Sequence, residues 1–160
     1  MQEPHPLLNI EQVTKEYPGA PEPTRVLTGI DLRVEPGESV AVVGPSGCGK
    51  STLLNVIGTL DTATSGTVTF DGRDLSTLND TERARFRNQS IGFVFQLHHL
   101  LPQCTALENV LTPTLVNRDA KAARAYAVHL LERVGLAERA EYPPGELSGG
   151  ERQRDRKSVV

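Results

Sequence analysis

The sequence predicts an α/β fold with a helical insertion, built as one domain from a chain of 160 residues. β-Rich segments dominate the N-terminal part of the chain. The short apolar segment Ser39–Val43 then leads into a glycine-rich loop and a stretch with the apolar spacing of a helix. Farther on, apolar side chains recur at helical spacing between Asp119 and Val134. This order of strands, strand–helix alternation and helix is typical of an α/β fold.

Five segments are predicted as strands. Leu7–Tyr17 is rich in β-forming residues and is followed by a Pro/Gly loop, and Arg25–Val34 alternates apolar with polar residues as a half-buried strand does. Ser39–Val43 is apolar throughout, which predicts a central parallel strand that is covered on both faces. The remaining two are SGTVTFDG, which begins at Ser65, and Ser90–Gln96.

Two helix starts are predicted from capping boxes. Asn79 and Thr105 are each followed three residues later by a glutamate, Glu82 and Glu108, which can satisfy the first amides of a helix reciprocally. An earlier helix should follow the glycine loop and end near Gly58.

The longest helix is predicted between 119 and 134. Gly135 follows at the position where many helices end, and Leu136 can pack back on the last turn. The apolar positions of this helix are Ala123, Ala127, Leu130, Leu131 and Val134.

Composition and charge exclude several classes of function. The net charge is −3 at pH 7, so no global basic field would draw the chain to nucleic acid or to an anionic membrane. The N-terminus lacks the basic and apolar regions of a secretory signal, and no apolar run approaches the roughly 18 residues of a spanning helix. Two cysteines, Cys48 and Cys104, do not make a disulfide framework, which predicts a reducing cytoplasm.

The segment GPSGCGKST matches G-x-x-x-x-G-K-[ST], the Walker A pattern of a phosphate-binding loop. A phosphate chain needs several converging N–H donors, and glycines allow the backbone turns that present them. Lys50 would place a positive charge at the β- and γ-phosphates, and the Ser51 hydroxyl would ligate Mg²⁺. The predicted nucleotide-binding residues of the loop are Gly44, Pro45, Ser46, Gly47, Cys48, Gly49, Lys50, Ser51 and Thr52.

Two alternatives apply to this loop. The pattern also fits a glycine-rich strand–helix turn that binds no ligand, although a strand before it and a helix after it favour nucleotide binding. Cys48 is interpreted as a loop residue rather than a redox switch, because a switch needs an activated thiolate.

A second motif, LSGGERQR, occupies Leu147–Arg154. Paired with the phosphate-binding loop at this separation, it resembles the signature motif of the ABC ATPases, and the resemblance extends from Leu7 to Arg154. Alone, the motif would indicate a plain helix cap with flexible glycines. In the ABC family the signature of one subunit faces the ATP held by the loop of its partner, which implies a homodimer. The signature residues implied in nucleotide binding are Leu147, Ser148, Gly149, Gly150 and Glu151.

The resemblance also implies roles for two residues outside the motifs. Gln96 matches the family's Q-loop glutamine, which reaches the Mg²⁺ or the attacking water and senses a transmembrane partner. Tyr17 lies where the family places an aromatic ring that stacks on adenine. A solvated glutamine and a core or rim tyrosine are the alternatives. His98 and His99 are not assigned a metal, since adjacent histidines diverge and no third ligand is evident.

Within the family, the segments GTLDTATSGTVTFDG, RNQSIGFVFQLHHLLP and TALENV resemble the ATPase of the lipoprotein-releasing system. This implies a subunit that hydrolyses ATP with Mg²⁺, lies on the cytoplasmic face of the inner membrane and contacts transmembrane permease subunits through LHHLLPQCTALENV. A macrolide-exporter or cell-division ATPase is the alternative. A DNA-repair or chromosome ATPase would insert coiled coil or zinc modules between the motifs, and this sequence shows neither heptads nor CxxC pairs there.

After Arg154 the sequence departs from the family pattern. The resemblance implies a following strand that ends in Asp-Glu (Walker B) and a later switch histidine, but only DRKSVV follows. We therefore expect residues 1–154 to form a partial nucleotide-binding domain that binds nucleotide without hydrolysing it. Residues 155–160 are expected to be a non-native tail, because a common sequencing adapter can encode them. A frameshift, a pseudogene or a natural short variant is the alternative.

Overall fold

The computed structural model describes residues 5–95, 99–116 and 120–147. It divides into two compact units, the first ending at Ile91 and the second beginning at Gly92. No helix in these described ranges is both long enough and apolar enough to cross a membrane. Several predicted site residues lie outside the described residues, namely Gln96, Ser148, Gly149, Gly150 and Glu151.

The first unit contains a four-stranded antiparallel sheet in the order β2-β1-β3-β4. The strands are β1, Leu8–Tyr17; β2, Thr24–Val34; β3, Ser65–Phe70; and the short β4, Arg73–Asp74. The three N-terminal strand predictions that start near residues 7, 25 and 65 are therefore confirmed. Alternation turns Leu8 and Ile10 into the core in the first part of β1, and Val13 faces the core after an irregularity in the strand.

Two helices belong to this unit, α1 at Lys50–Ile57 and α2 at Asp80–Ser90. They supply apolar side chains to the same core as the sheet, and Phe86 of α2 packs edge-to-face on Phe70 with ring centroids 5.2 Å apart. The buried cluster consists of Leu8, Ile10, Val13, Leu27, Leu53, Val56, Val68, Leu75, Leu78 and Phe86.

The capping box predicted for α2 is confirmed. The Asn79 side chain accepts the Glu82 amide at 3.0 Å, and the Glu82 carboxylate accepts the Asn79 amide at 2.9 Å. The predicted end of α1 is also correct, since the amide of Gly58 donates to the carbonyl of Leu54 at 2.9 Å.

A bulge interrupts the centre of β1. Pairing with β2 passes from Ile10 directly to Val13, and Gln12 lies between them with φ of 47°. The Gln12 backbone amide donates to Asp31 Oδ1 at 2.8 Å, and its side-chain amide donates to Asp31 Oδ2. On the β3 side, Gly66 is pressed against the carbonyl of Gln12. The bulge is therefore held from both neighbouring strands.

Two strand predictions are wrong. Ser39–Val43 is not a strand, and Val43 is 86% exposed rather than covered on both faces. Among the described residues, no backbone hydrogen bond joins this segment to another, and a strand needs such a partner. In the other segment Ser90 ends α2, and Ile91–Phe95 has no regular structure. The apolar composition of Ser39–Val43 suits a central strand, but the described residues contain no strand that pairs with it.

The second unit is helical. It contains α3, Ala106–Leu111, and α4, Ala120–Arg133, with 3-10 turns at Thr112–Val116, Ala137–Arg139 and Pro144–Glu146. The capping box at Thr105 and Glu108 is confirmed, with bonds of 3.2 and 2.8 Å. The core of this helical unit consists of Ala106, Leu107, Val110, Ala127, Leu131, Leu136 and Leu147.

The end of α4 has the predicted glycine motif. Gly135 adopts φ of 72°, and its amide donates to the carbonyl of Glu132 at 3.0 Å. The amide of Leu136 donates to the carbonyl of Leu131 at 2.8 Å, and the Leu136 side chain is fully buried. These two bonds are the Schellman pair that satisfies the last carbonyls of a helix.

Candidate nucleotide-binding site

The glycine loop is an exposed turn that leads directly into α1. Gly47 and Gly49 adopt φ values of 83° and 92°, in the left-handed region that favours glycine. The Cys48 amide closes a turn on the Pro45 carbonyl at 3.4 Å, and Leu53 makes the first helical bond to Gly49 at 2.8 Å. The backbone path therefore requires glycine at Gly47 and Gly49, two of the three glycines of the predicted loop.

Gly49 also fixes the loop against the sheet. A Cβ atom at this position would lie 2.9 Å from the Val26 carbonyl oxygen and 3.0 Å from Leu27 Cδ2. Only a residue without a side chain allows this close approach to β2. The start of α1 is thus held by the strand beside it.

The first turn of α1 presents backbone donors. The amides of Lys50, Ser51 and Thr52 open the helix, so no intrahelical carbonyl is available to them. No acidic side chain lies in this turn to offset the positive end of the helix dipole. Such a helix start is an anion-binding arrangement.

The Lys50 ammonium lies on the loop itself. Its Nζ atom donates to the carbonyls of Gly44 at 2.9 Å and Pro45 at 2.6 Å, and it is 3.8 Å from Cys48 Sγ. In the described part of the chain, no carboxylate is within ion-pair distance of this ammonium. Among the described residues, this positive charge contacts two backbone carbonyls and a thiol, and none of these partners is a carboxylate.

The residues present fit a magnesium nucleotide. The exposed Ser51 hydroxyl at the helix start can supply one oxygen ligand, and Mg²⁺ commonly takes one or two protein ligands and completes its shell with phosphate and water. No cluster of three or more His, Cys, Asp or Glu side chains suited to a metal occurs within residues 5–95, 99–116 and 120–147.

Tyr17 lies next to this loop. Its hydroxyl donates to Asp61 Oδ2 at 2.7 Å, and Thr52, the last residue of the motif, is close enough to lower the pKa of Tyr17. Asp61 also accepts the Lys15 ammonium at 2.5 Å. The structure thus brings together Tyr17 and the phosphate-binding loop, two features that the sequence predicted separately.

Both members of the Tyr17–Asp61 pair have shifted pKa values. The hydrogen bond to Asp61 and then burial raise the pKa of Tyr17, against an opposing hydrogen bond from Thr52. For Asp61, burial raises the pKa, but hydrogen bonds from Lys15, Tyr17 and the Thr62 amide outweigh it, so that the pKa is lowered. The carboxylate and the neutral phenol are the favoured forms at neutral pH.

Sequence reasoning missed Asp61 and Lys15. The available signal was the position of Lys15, two residues after the buried Val13 on the core-facing side of β1. A lysine at a core-facing position must find an acceptor, but the sequence does not say where that acceptor lies.

We expect replacement of Asp61 by asparagine to lower stability at neutral pH by about 2 kcal/mol, because the buried Lys15 ammonium loses the carboxylate charge that balances it. The folded-state pKa of Asp61 is below that of the unfolded chain. The unfolded chain therefore binds more protons between these two pKa values, and the Asp61 contribution, full above the unfolded pKa, is lost as the pH falls through the folded one. The difference between wild type and Asp61→Asn should shrink at pH 2.5.

Urea unfolding at pH 7 and pH 2.5 measures this difference. Asp80→Asn is the matched control, because the Asp80 side chain is fully exposed and its nearest cation is 3.8 Å away. A difference for Asp61→Asn that stays constant between the two pH values would contradict the prediction.

Of the signature residues, only Leu147 lies in the described part of the chain. It is 3% exposed and belongs to the core of the helical unit. Its burial explains why the motif begins with an apolar residue.

Comparison with known proteins identifies the family. The family model described as ABC transporter matches residues 27–156. The lipoprotein-releasing system ATP-binding protein LolD of Shewanella frigidimarina is 53% identical over 149 residues, which are 92% of this chain and 62% of that protein. LolD of Myxococcus xanthus is 54% identical over 149 residues, which are 92% of this chain and 66% of that protein. The chain thus spans less than two thirds of the length of these relatives.

Solved structures of the ATP-binding cassette MJ0796 share the fold. One is a dimeric post-hydrolysis state bound to ADP and Pi, with a TM-score of 0.86 and 38% identity over 95% of this chain and 68% of that chain. Another is a dimeric structure of the same bacterial ABC transporter cassette, with the same TM-score and coverage. The predicted fold class is therefore confirmed. Because the family model covers most of the residues, including the phosphate-binding loop, this chain belongs to the ABC transporter family.

Proposed function

We propose that this chain is the nucleotide-binding part of an ATP-hydrolysing subunit that drives lipoprotein release through an ABC transporter. The observation that carries the proposal is the start of α1, where a glycine turn, helix amides and the Lys50 ammonium converge without a neighbouring carboxylate among the described residues. The lipoprotein-releasing role rests on relatives of that name that are more than 50% identical over 92% of the chain.

The residues divide the work of binding. The loop amides and Lys50 would hold the phosphates, and Tyr17 would stack on adenine. Ser51 and Gln96 would hold Mg²⁺, which when bound neutralises phosphate charge and polarises the γ-phosphoryl group. Gln96 would also orient the attacking water. Positioning of this kind, together with electrostatic stabilisation, is the main contribution of a protein to phosphoryl transfer.

A second copy of the chain would complete the site. A Ser-Gly-Gly sequence like that of the signature motif can present backbone amides to the γ-phosphate, as the loop amides would to the other phosphates. The dimeric state of the structural neighbour that is bound to ADP and Pi supports this arrangement. The second copy would supply the signature residues Ser148, Gly149, Gly150 and Glu151 to this contact, together with the predicted Leu147, whose buried side chain leaves only its backbone for the nucleotide.

The membrane partner would be a permease, with this subunit on the cytoplasmic face. The surface that we assign to it follows Gln96 and includes Leu101, a 40% exposed apolar side chain. The buried Asn109 holds this segment, because its side chain accepts the Leu101 amide at 2.8 Å and donates to the Leu101 carbonyl at 3.1 Å. A braced apolar loop is suited to contact with another protein.

Nucleotide binding, ATP-dependent dimerisation and the cargo are tested separately. Isothermal titration of the full chain should show ATP binding that is strengthened by Mg²⁺, and light scattering should show a larger species only when ATP is present. Absence of ATP binding at millimolar concentration would contradict the proposal. For the cargo, depletion of the protein in its own cells should leave lipoproteins in the inner membrane. Unchanged lipoprotein distribution would refute the lipoprotein assignment alone.

A further inference from the structure

A partly buried ion pair joins the end of β1 to the turn that follows α1. Lys15 is 8% exposed, and its Nζ atom donates to Asp61 Oδ1 at 2.5 Å and to the Thr62 carbonyl at 2.7 Å. The same ammonium lies 4.8 Å from the centroid of the Tyr17 ring. A buried ammonium group is tolerated only when its donors are matched, and the carboxylate, the carbonyl and the ring together surround it.

The Asp61 carboxylate is fixed relative to the phosphate-binding helix. The amides of Leu60 and Asp61 both donate to the carbonyl of Asn55 in α1, at 2.9 and 3.2 Å. The Thr62 amide then donates to Asp61 Oδ1 at 2.7 Å, so that the side chain has a defined rotamer. Asp61 is therefore tied to the last turn of the helix whose first turn follows the glycine loop.

The segment after Asp61 is in turn fastened to β1. The Thr64 amide donates to the Thr14 carbonyl at 2.9 Å, and the Thr64 hydroxyl accepts the Glu16 amide at 2.9 Å. The hydroxyls of Thr14 and Ser65 are 2.7 Å apart. The strand end that carries Tyr17 thus cannot shift without disturbing the turn that carries Asp61.

These contacts restrict the Tyr17 ring. A tyrosine ring has two side-chain torsions, and a bond from its hydroxyl to a fixed carboxylate limits both. The Lys15 ammonium marks one ring face, which leaves the opposite face as the one on which a planar group would stack.

We infer that Asp61, held by Lys15, is a positioning residue for the nucleobase: it sets the Tyr17 ring at a fixed distance and tilt from the phosphate-binding loop. The inference rests on the proposed function and deepens it, because it explains how base recognition is linked to phosphate recognition. A pre-oriented ring loses less conformational freedom on binding than a mobile one. Asp61 and Lys15 therefore raise the affinity for adenine nucleotides without contacting them.

The experiment compares two ligands on the full chain, ATP and inorganic tripolyphosphate, both with Mg²⁺. Tripolyphosphate uses the loop but has no base, so the ratio of the two dissociation constants isolates the contribution of the ring. The variants are Asp61→Ala, Asp61→Asn and Tyr17→Phe, with Asp80→Ala as the control that removes an exposed carboxylate. Thermal unfolding followed by circular dichroism checks that each variant is folded.

We expect Asp61→Ala and Tyr17→Phe to weaken ATP binding by about threefold to tenfold, part of the value of a base–aromatic stack, with tripolyphosphate affinity unchanged. Asp61→Asn should fall between these variants and wild type, since an amide can still bond the phenol. In a Tyr17→Ala background, Asp61→Ala should change the ratio no further, because Asp61 acts through the ring.

Two results would overturn the inference alone. One is an unchanged ratio in both Tyr17→Phe and Asp61→Ala while tripolyphosphate still binds. The other is a parallel loss of both ligands in folded Asp61→Ala together with an unchanged ratio in Tyr17→Phe, which would indicate a structural role. Failure of the wild-type chain to bind either ligand would instead overturn the proposed function, and this inference with it.

Discussion

Replacement of Lys50 by alanine is expected to weaken ATP binding by at least about 100-fold. The Nζ atom lies on the loop, 2.9 and 2.6 Å from two loop carbonyls, and its charge has no carboxylate partner within the described residues. Charge-assisted hydrogen bonds to phosphate contribute about 1.5–3 kcal/mol each, and the loss of 2.7 kcal/mol corresponds to about 100-fold in affinity. Titration with ATP and with tripolyphosphate should show the same loss, because the interaction is with phosphate.

Arg33→Ala is the matched control, since it removes one positive charge from an exposed position of β2. It should leave both affinities within about twofold of wild type at physiological ionic strength. Lys50→Ala should also leave the unfolding temperature nearly unchanged, because the side chain is bonded only to exposed loop atoms. ATP affinity that survives this substitution would refute the site.

The local features of the fold could be predicted from the sequence. Both capping boxes and the glycine end of α4 are as expected, because each depends on interactions between residues no more than five positions apart. The glycine loop belongs to the same group, since the positive φ values of Gly47 and Gly49 are a property of the turn itself.

Features that depend on distant partners could not be predicted. The apolar pattern of Ser39–Val43 indicated burial on both faces, but the described residues provide no adjacent strand, and Val43 is exposed. The bulge at Gln12 likewise depends on Asp31 and Gly66, which belong to the two neighbouring strands. The apolar pattern of a segment indicates its preferred secondary structure, but the strand with which it pairs depends on residues elsewhere in the chain.

The same distinction applies to the site. The Walker A sequence pattern predicts a phosphate-binding loop because all the groups that bind phosphate belong to nine consecutive residues. The assembly of Lys15, Tyr17 and Asp61 joins β1 to the turn after α1, and Asp61 is more than forty positions from the other two residues in the chain. Only the presence of a lysine at a core-facing position indicated that a carboxylate was needed.

Replacement of Gly66 by alanine is expected to lower the free energy of unfolding by about 2–5 kcal/mol, the sum of a strained backbone and an overpacked contact. Gly66 has φ of 85°, and a Cβ atom there would lie 2.6 Å from the Glu11 carbonyl oxygen and closer still to that of Gln12. Both neighbours are backbone atoms of the β1 bulge, so they cannot move aside as a flexible side chain can. Urea unfolding followed by circular dichroism measures the change.

Gly37→Ala is the control that measures the backbone strain of a positive φ without a steric contact at the added Cβ atom. Gly37 has nearly the same φ, 80°, but a Cβ atom there would meet nothing within 4 Å. Its substitution should therefore cost only the strain of about 1–2 kcal/mol. Because Gly66 presses on the strand that carries Lys15 and Tyr17, Gly66→Ala should also lower the ratio of ATP to tripolyphosphate affinity, whereas Gly37→Ala should not. Equal losses of stability in the two variants would show that the bulge yields to the added methyl group.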